Sequence, residues 1–452
     1  MSKILTAAVT IFLVNAALYA QSNTVIVYAD RAEYTISRHI YGQFSEHLGR
    51  GIYGGIWVGE DSDIPNTEGY RNDVLKALRE LEIPNIRWPG GCFADEYDWR
   101  DGIGPPAERP ETVNTHWGMV TEDNRFGTHE FLRFAELLGA EPYISANVGS
   151  GTPAQMQDWV EYMTFEGESE LANLRRKNGR KQPWKIRFFG IGNESWGCGG
   201  NMTADYYADL YRRFQTYIKE YSGNELVKIA SGWSNDHYEW TETLMRKAGD
   251  EMDAISLHYY TIAGPGWDEK GPSADFGEAL YFSGLKKALL LDRYIEGHAA
   301  VMDKYDPQKR IALAVDEWGI WTDPLSGSNP AFLEQQNSMR DALIAAVSLD
   351  ILNAHADRVR IANIAQTVNV LQAMIRTEGN RMIKTPTYHV FHLYKPHQDA
   401  PLLPSDIRSE EYTHNGENIP AISATASRDR SGTVHITVSN LNPGRELEVT
   451  FD

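Results

Sequence analysis

Two stretches of this chain run apolar and then stop on a glutamate. One is Ile186-Arg187-Phe188-Phe189-Gly190-Ile191-Gly192-Asn193-Glu194; the other is Ile311-Ala312-Leu313-Ala314-Val315-Asp316-Glu317. A buried parallel strand that delivers an acid to the mouth of a barrel reads this way. Two carboxyls so placed suit cleavage of a glycosidic bond: one protonates the leaving oxygen, the other attacks or activates water. Asn193 directly before Glu194, and Trp321 four residues after Glu317, make the pair more specific than either glutamate alone. A third acid, Glu46, closes the run Ile40-Tyr41-Gly42-Gln43-Phe44-Ser45-Glu46.

These acids need a scaffold that brings distant stretches together. Apolar, strand-like runs are expected at 40–47, 85–88, 142–147, 186–194, 226–231, 254–260, 311–317 and 358–363. Helical spacing lies between them, at 72–82, 128–138, 206–221, 276–305 and 330–354. Strands alternating with helices in this number specify an α/β fold, a (β/α)8 TIM barrel with reactive residues at the strand C-termini. The stretch 92–125 is long for a loop in a compact domain, and such loops are usually functional. Late in the chain the texture turns to β, with a turn at Asp429-Arg430-Ser431-Gly432. The expected division is 1–20 signal, 21–37 N-terminal strand, 38–386 barrel and 387–452 β-sandwich.

Composition narrows the partners. The 452 residues carry 43 basic and 62 acidic side chains, a net charge of −19, which offers no basic surplus for nucleic acid. Lys3 followed by an apolar run to Ala20 reads as a cleaved secretory signal, the alternative being a retained anchor. The expectation is an exported, periplasmic or extracellular protein with no membrane span after cleavage. Two cysteines, Cys92 and Cys198, are too few for a disulfide scaffold. A single bond between them and two packed thiols are both open. No His-Glu-x-x-His or comparable cluster is present, so neither metal nor cofactor is expected.

Five motifs together resemble the α-L-arabinofuranosidases of glycoside hydrolase family 51. They are Gly192-Asn193-Glu194, Asp316-Glu317-Trp318-Gly319-Ile320-Trp321, Arg87-Trp88-Pro89-Gly90-Gly91, Asp101-Gly102-Ile103-Gly104-Pro105 and Ala362-Asn363-Ile364-Ala365-Gln366. The resemblance covers nearly the whole mature chain. It implies a retaining exo-enzyme that releases terminal arabinofuranosyl groups from arabinose-containing oligo- or polysaccharides, with Glu194 as acid/base and Glu317 as nucleophile. It implies a sandwich that takes in the N-terminal strand, and a homo-oligomer. It also implies sugar contacts by Glu46, Trp117, Asn193, Trp321 and Gln366, an arginine beside the nucleophile at Arg87, and a His-x-Tyr pair at His258 and Tyr260. Cys92 is counted with the binding residues, although the family often has asparagine after the double glycine.

Two other readings remain at this point. One is a β-xylosidase or endo-glucanase on the same barrel, since a fold does not fix the sugar. The other is a non-catalytic carbohydrate-binding protein, which would need only one of the glutamates or neither. The chain stops at Leu447-Glu448-Val449-Thr450-Phe451-Asp452, within what reads as a strand. The expectation is a truncated or reduced sandwich with an unpaired edge.

Overall fold

The computed structural model describes residues 23–452. The stretch read as an export signal lies outside the described residues. After an outlying strand β1 (Asn23–Val27), eight parallel strands close into a barrel. They are β2 (Gly42–Phe44), β3 (Asn85–Trp88), β4 (Glu141–Ala146), β5 (Phe188–Ile191), β6 (Val227–Ala230), β7 (Ala254–Thr261), β8 (Ala312–Ile320) and β9 (Val359–Ala365). Each pairs with the next in chain order, and β9 pairs with β2. Helices cover the outside, so most strand residues are buried, and the strands read as apolar runs rather than alternating ones.

The helices form for local reasons that can be read from their ends. Thr128–Leu138 buries Phe131, Leu132, Phe134, Ala135 and Leu138, and stops where Gly139 takes φ 72°. Met339–Ala354 starts at Ser338, whose N–H is accepted by Asp341 at 2.9 Å. That helix is buried almost all round because the barrel lies on one side and late strands on the other.

Three expectations shift in detail. The first barrel strand begins at Gly42, because Arg38–Tyr41 forms a 3-10 turn capped by the Ser37 hydroxyl. The helical stretch 276–305 is two helices, Glu278–Ala288 and Leu290–Tyr305, meeting at Leu289. The stretch 330–354 becomes helical only from Met339; Pro330–Phe332 is a separate 3-10 turn.

Among the described residues the late segment holds three small sheets, one of them the hairpin of Glu411–His414 with Glu417–Pro420. β1 lies between Ser405–Arg408, antiparallel, and Val449–Phe451, parallel. Ile422–Arg428 and Val434–Asn440 form the second sheet. Val25, Ile422 and Ala424 are the buried centre of this small core. The helix Pro386–Tyr394 packs on the barrel, with Phe391 stacked on Trp318.

Where barrel and sandwich meet, a buried carboxyl takes part. Asp350 accepts from the Tyr394 hydroxyl at 2.7 Å and the Ser423 hydroxyl at 2.5 Å. Burial pushes its pKa up to about 7, while those hydroxyls pull it down. An unfolded aspartate titrates near 3.9, so its contribution to stability is full below about pH 4 and is lost as pH rises through about 7. Asp350→Asn cannot ionise. Its melting temperature is therefore expected to fall less between pH 5 and pH 8 than that of the wild type, by about 2 °C or more. Thermal melts at the two pH values read the difference; parallel declines would remove Asp350 from this account.

Candidate active site

The C-terminal ends of seven of the eight strands, all but β4, lead into residues that line one cavity of about 230 Å³. Ten of the eleven residues singled out from the sequence line it: Glu46, Cys92, Trp117, Asn193, Glu194, His258, Tyr260, Glu317, Trp321 and Gln366. Arg87, the eleventh, lies just behind the wall and donates to Glu317 Oε1 from Nη1 at 2.7 Å.

Backbone irregularity sets the two central carboxyls. In β8 the pairing with β9 shifts register between Val315 and Trp318. Such a break interrupts the two-residue alternation of a strand, and both Asp316 and Glu317 reach groups in the barrel interior. A second shift, after Ser256 in β7, brings His258 opposite Glu317 and Tyr260 opposite Gly319. Glu194 stands three residues beyond the end of β5, at φ 38°, a left-handed conformation unusual for a side chain with a Cβ.

The carboxyls share a hydrogen-bonded cluster. Glu317 accepts from Arg87 on Oε1 and from the Tyr260 hydroxyl on Oε2 at 2.8 Å. His258 Nδ1 is 2.9 Å from Glu194 Oε1 and 3.6 Å from Glu317 Oε2, while its Nε2 is 3.2 Å from Asp316 Oδ1. Asp316 also accepts from the Tyr143 hydroxyl at 2.6 Å. An oxygen of Glu194 and one of Glu317 come within 4.8 Å of each other, with the imidazole between them. That is a close approach for two carboxyls of one cavity, on the short side of the range in which two carboxyls act together on a glycosidic bond.

Charges in this cluster are strongly coupled to burial. Burial pulls the His258 pKa down, but the Glu317 charge and the bonds to Asp316 and Glu194 raise it to about 10. Burial also opposes the Arg87 charge, yet Asp316 and Glu317 hold its pKa above the ordinary range. Asp316 stays below the usual carboxylate range: burial raises its pKa, and Arg87 and His258 outweigh that. Glu46 goes the other way, pushed up to about 7 by burial and by Glu317. Its carboxyl accepts from the Phe93 N–H at 3.1 Å and from Gln366 Nε2 at 3.3 Å.

The remaining walls select shape. Asn193 Oδ1 accepts from Arg87 Nη2 at 2.6 Å, so its Nδ2 is the atom left to donate. Trp117 sits at the tip of a hairpin (Thr112–Asn114 with Val120–Glu122) inside the long loop, and its N–H is accepted by Asn114 Oδ1 at 2.9 Å. Trp321 meets Tyr260 and Trp267 edge-on. Sequence reasoning missed Trp267 and Asp316 as site residues. Trp267 is 55% exposed at the pocket mouth, in a loop without periodicity. Asp316 had a usable signal in its place beside Glu317 at a strand end.

Cys92 and Cys198 are joined in a disulfide, with Cα atoms 5.5 Å apart. The bond ties the loop after β3 to the loop after β5. The Cys198 sulfur lies 3.6 Å from Glu194 Oε2 and has no hydrogen to donate. Among the described residues, two sets of side chains converge closely enough to surround a cation, Glu194–His258–Glu317 and Cys92–Glu194–Cys198. The sulfurs of the second are bonded to each other, so that set holds no free thiolate.

Comparison with known proteins adds an independent line. Residues 77–264 match the family model described as alpha-L-arabinofuranosidase 1 domain, and residues 316–451 the alpha-L-arabinofuranosidase C-terminal domain. A Bacteroides ovatus protein named intracellular exo-alpha-L-arabinofuranosidase is 52% identical over 96% of this chain and 84% of its own. A GH51 arabinofuranosidase from Xanthomonas axonopodis pv. citri superposes with TM-score 0.94 at 54% identity, over 95% of this chain and 87% of its own. The Thermotoga maritima alpha-L-arabinofuranosidase, solved with arabinose, superposes at 0.83 with 35% identity, over 95% and 87%. The expected export is corrected at this point, because the Bacteroides relative is named intracellular. No helix among the described residues is long and apolar enough to cross a membrane.

Proposed function

This chain belongs to the α-L-arabinofuranosidases of glycoside hydrolase family 51, and from that premise we propose that it cleaves terminal α-L-arabinofuranosyl groups by double displacement, with Glu317 as nucleophile and Glu194 as acid/base. It is an exo-acting enzyme on arabinose-containing substrates. The observation that carries the mechanism is the approach of a Glu194 oxygen to a Glu317 oxygen within 4.8 Å at the strand ends of one cavity.

In the first step Glu317 attacks the anomeric carbon. Arg87 and Tyr260 fix both of its oxygens, so one geometry is offered. Glu194 protonates the departing oxygen. The protonated His258 ring donates to Glu194 Oε1, which leaves Oε2 to carry the transferred proton. In the second step the same carboxyl, now ionised, takes a proton from water as it attacks the arabinosyl–Glu317 ester. Glu46, Gln366 and the Asn193 amide supply donors and acceptors for the sugar hydroxyls, and Trp117 and Trp321 close the apolar side.

Sugar choice tests this reading. The value of kcat/KM for 4-nitrophenyl α-L-arabinofuranoside is expected to exceed that for 4-nitrophenyl β-D-xylopyranoside by about a hundredfold or more, because polar groups set for furanose hydroxyls are left unpaired by the wrong ring. Comparable values would move the assignment to a β-xylosidase.

A further inference from the structure

The 3-10 turn Cys92–Asp95 that follows β3 ends on a carboxyl held behind the pocket wall. Asp95 is 4% exposed and does not line the cavity. Its Oδ1 accepts from the N–H groups of Val148 and Gly149, both at 2.9 Å, and its Oδ2 accepts from the N–H of Asn193 at 3.0 Å. Its backbone oxygen takes the N–H and the hydroxyl of Ser150, both at 3.0 Å. One residue of the loop after β3 thus holds the loops after β4 and β5. No cation pairs with it among the described residues, so backbone N–H dipoles are its direct partners. The fit is tight: a Cβ on Gly199 would stand 2.7 Å from Asp95 Oδ2 and 1.8 Å from the Asn193 oxygen.

This clamp acts on the two residues that matter most. The Asn193 side chain receives Arg87, which also holds Glu317. Glu194 comes next, at φ 38°. A strained backbone of this kind persists only where its surroundings over-determine it. Asp95 fixes the N–H just before it, the Gly197 and Gly199 N–H groups donate to the Glu194 carbonyl at 2.7 and 3.1 Å, and the Cys92–Cys198 bond ties the loops after β3 and β5.

We propose that Asp95 is a positioning residue for proton transfer: by holding the Asn193 N–H and the loop after β4, it sets where the Glu194 carboxyl stands relative to the departing oxygen. The proposal rests on the double-displacement reading, in which Glu194 is the acid. A misplaced acid costs rate in proportion to how much the leaving group needs its proton.

Asp95→Asn keeps one oxygen for Val148 and Gly149 and turns an NH2 against the Asn193 N–H. The measurement is kcat/KM for wild type, Asp95→Asn and Glu194→Ala on two arabinofuranosides, with a phenyl and a 2,4-dinitrophenyl leaving group. The ratio of the two values does not depend on how much of each variant is folded. In Asp95→Asn it is expected to favour dinitrophenol about tenfold more than in wild type, with KM changed less than kcat. An unchanged ratio in Asp95→Asn, with a raised ratio in Glu194→Ala, overturns the proposal and leaves the mechanism standing. An unchanged ratio in Glu194→Ala overturns the mechanism itself. Should Asp95→Asn fail to fold, Asp95→Ser, which retains a single acceptor oxygen, is read by the same ratio.

Discussion

Replacing Glu317 with glutamine is expected to lower kcat about 10⁴-fold or more on every arabinofuranoside, whatever its leaving group. The amide fills the same space and keeps an oxygen for Arg87 or Tyr260, so the pocket walls have little reason to move. What it lacks is the charge and lone pair that form the arabinosyl ester. The surrounding groups make the loss specific. Arg87 and Tyr260 are aimed at the two oxygens of Glu317 and, apart from the Asp316 contacts of Arg87, at no other carboxyl among the described residues. Substrate turnover with folded, stoichiometrically pure variant is the readout. A variant within tenfold of wild type would mean that another group attacks the sugar.

Glu194→Ala should fail in a different way. The first step loses its acid, so phenyl arabinofuranoside slows by about 10³-fold while a 2,4-dinitrophenyl substrate, which leaves unaided, slows far less in that step. The second step loses its base, so the arabinosyl enzyme accumulates and a burst of dinitrophenol precedes slow turnover. Azide needs no base. It is expected to restore turnover of the dinitrophenyl substrate and to give arabinofuranosyl azide of retained configuration. The cavity left by the missing carboxyl, bordered by His258 and the Cys198 sulfur, has room for the anion. Absence of azide product, with the burst also missing, would reassign the acid/base.

The proposed catalytic pair was legible because two apolar strands each end on a glutamate, with Asn193 directly before one and Trp321 four residues after the other. Glu194 and Glu317 stood out on that ground, and Trp117, Trp321, Gln366 and Tyr260 followed from the family resemblance. Other features had no signal in the local pattern. Asp95 sits in a loop, and its partners are backbone N–H groups of Val148, Gly149 and Asn193, which any residue types would supply. The adjacent inward reach of Asp316 and Glu317 depends on a register shift that strand periodicity does not encode. The break at Leu289 carries no proline or glycine, so 276–305 reads as one helix although the chain turns there. The export reading came from the apolar composition of 1–20, and a relative named intracellular overturned it.

The most direct test of double displacement is the configuration of the first-formed product. Hydrolysis of an aryl α-L-arabinofuranoside in dilute methanol, followed by ¹H NMR, traps that configuration as a methyl glycoside that cannot mutarotate. Attack by Glu317 inverts the anomeric centre once and methanol inverts it again, so methyl α-L-arabinofuranoside is expected. The β-anomer would show that water or methanol displaces the leaving group directly, and would contradict the roles given to Glu317 and Glu194.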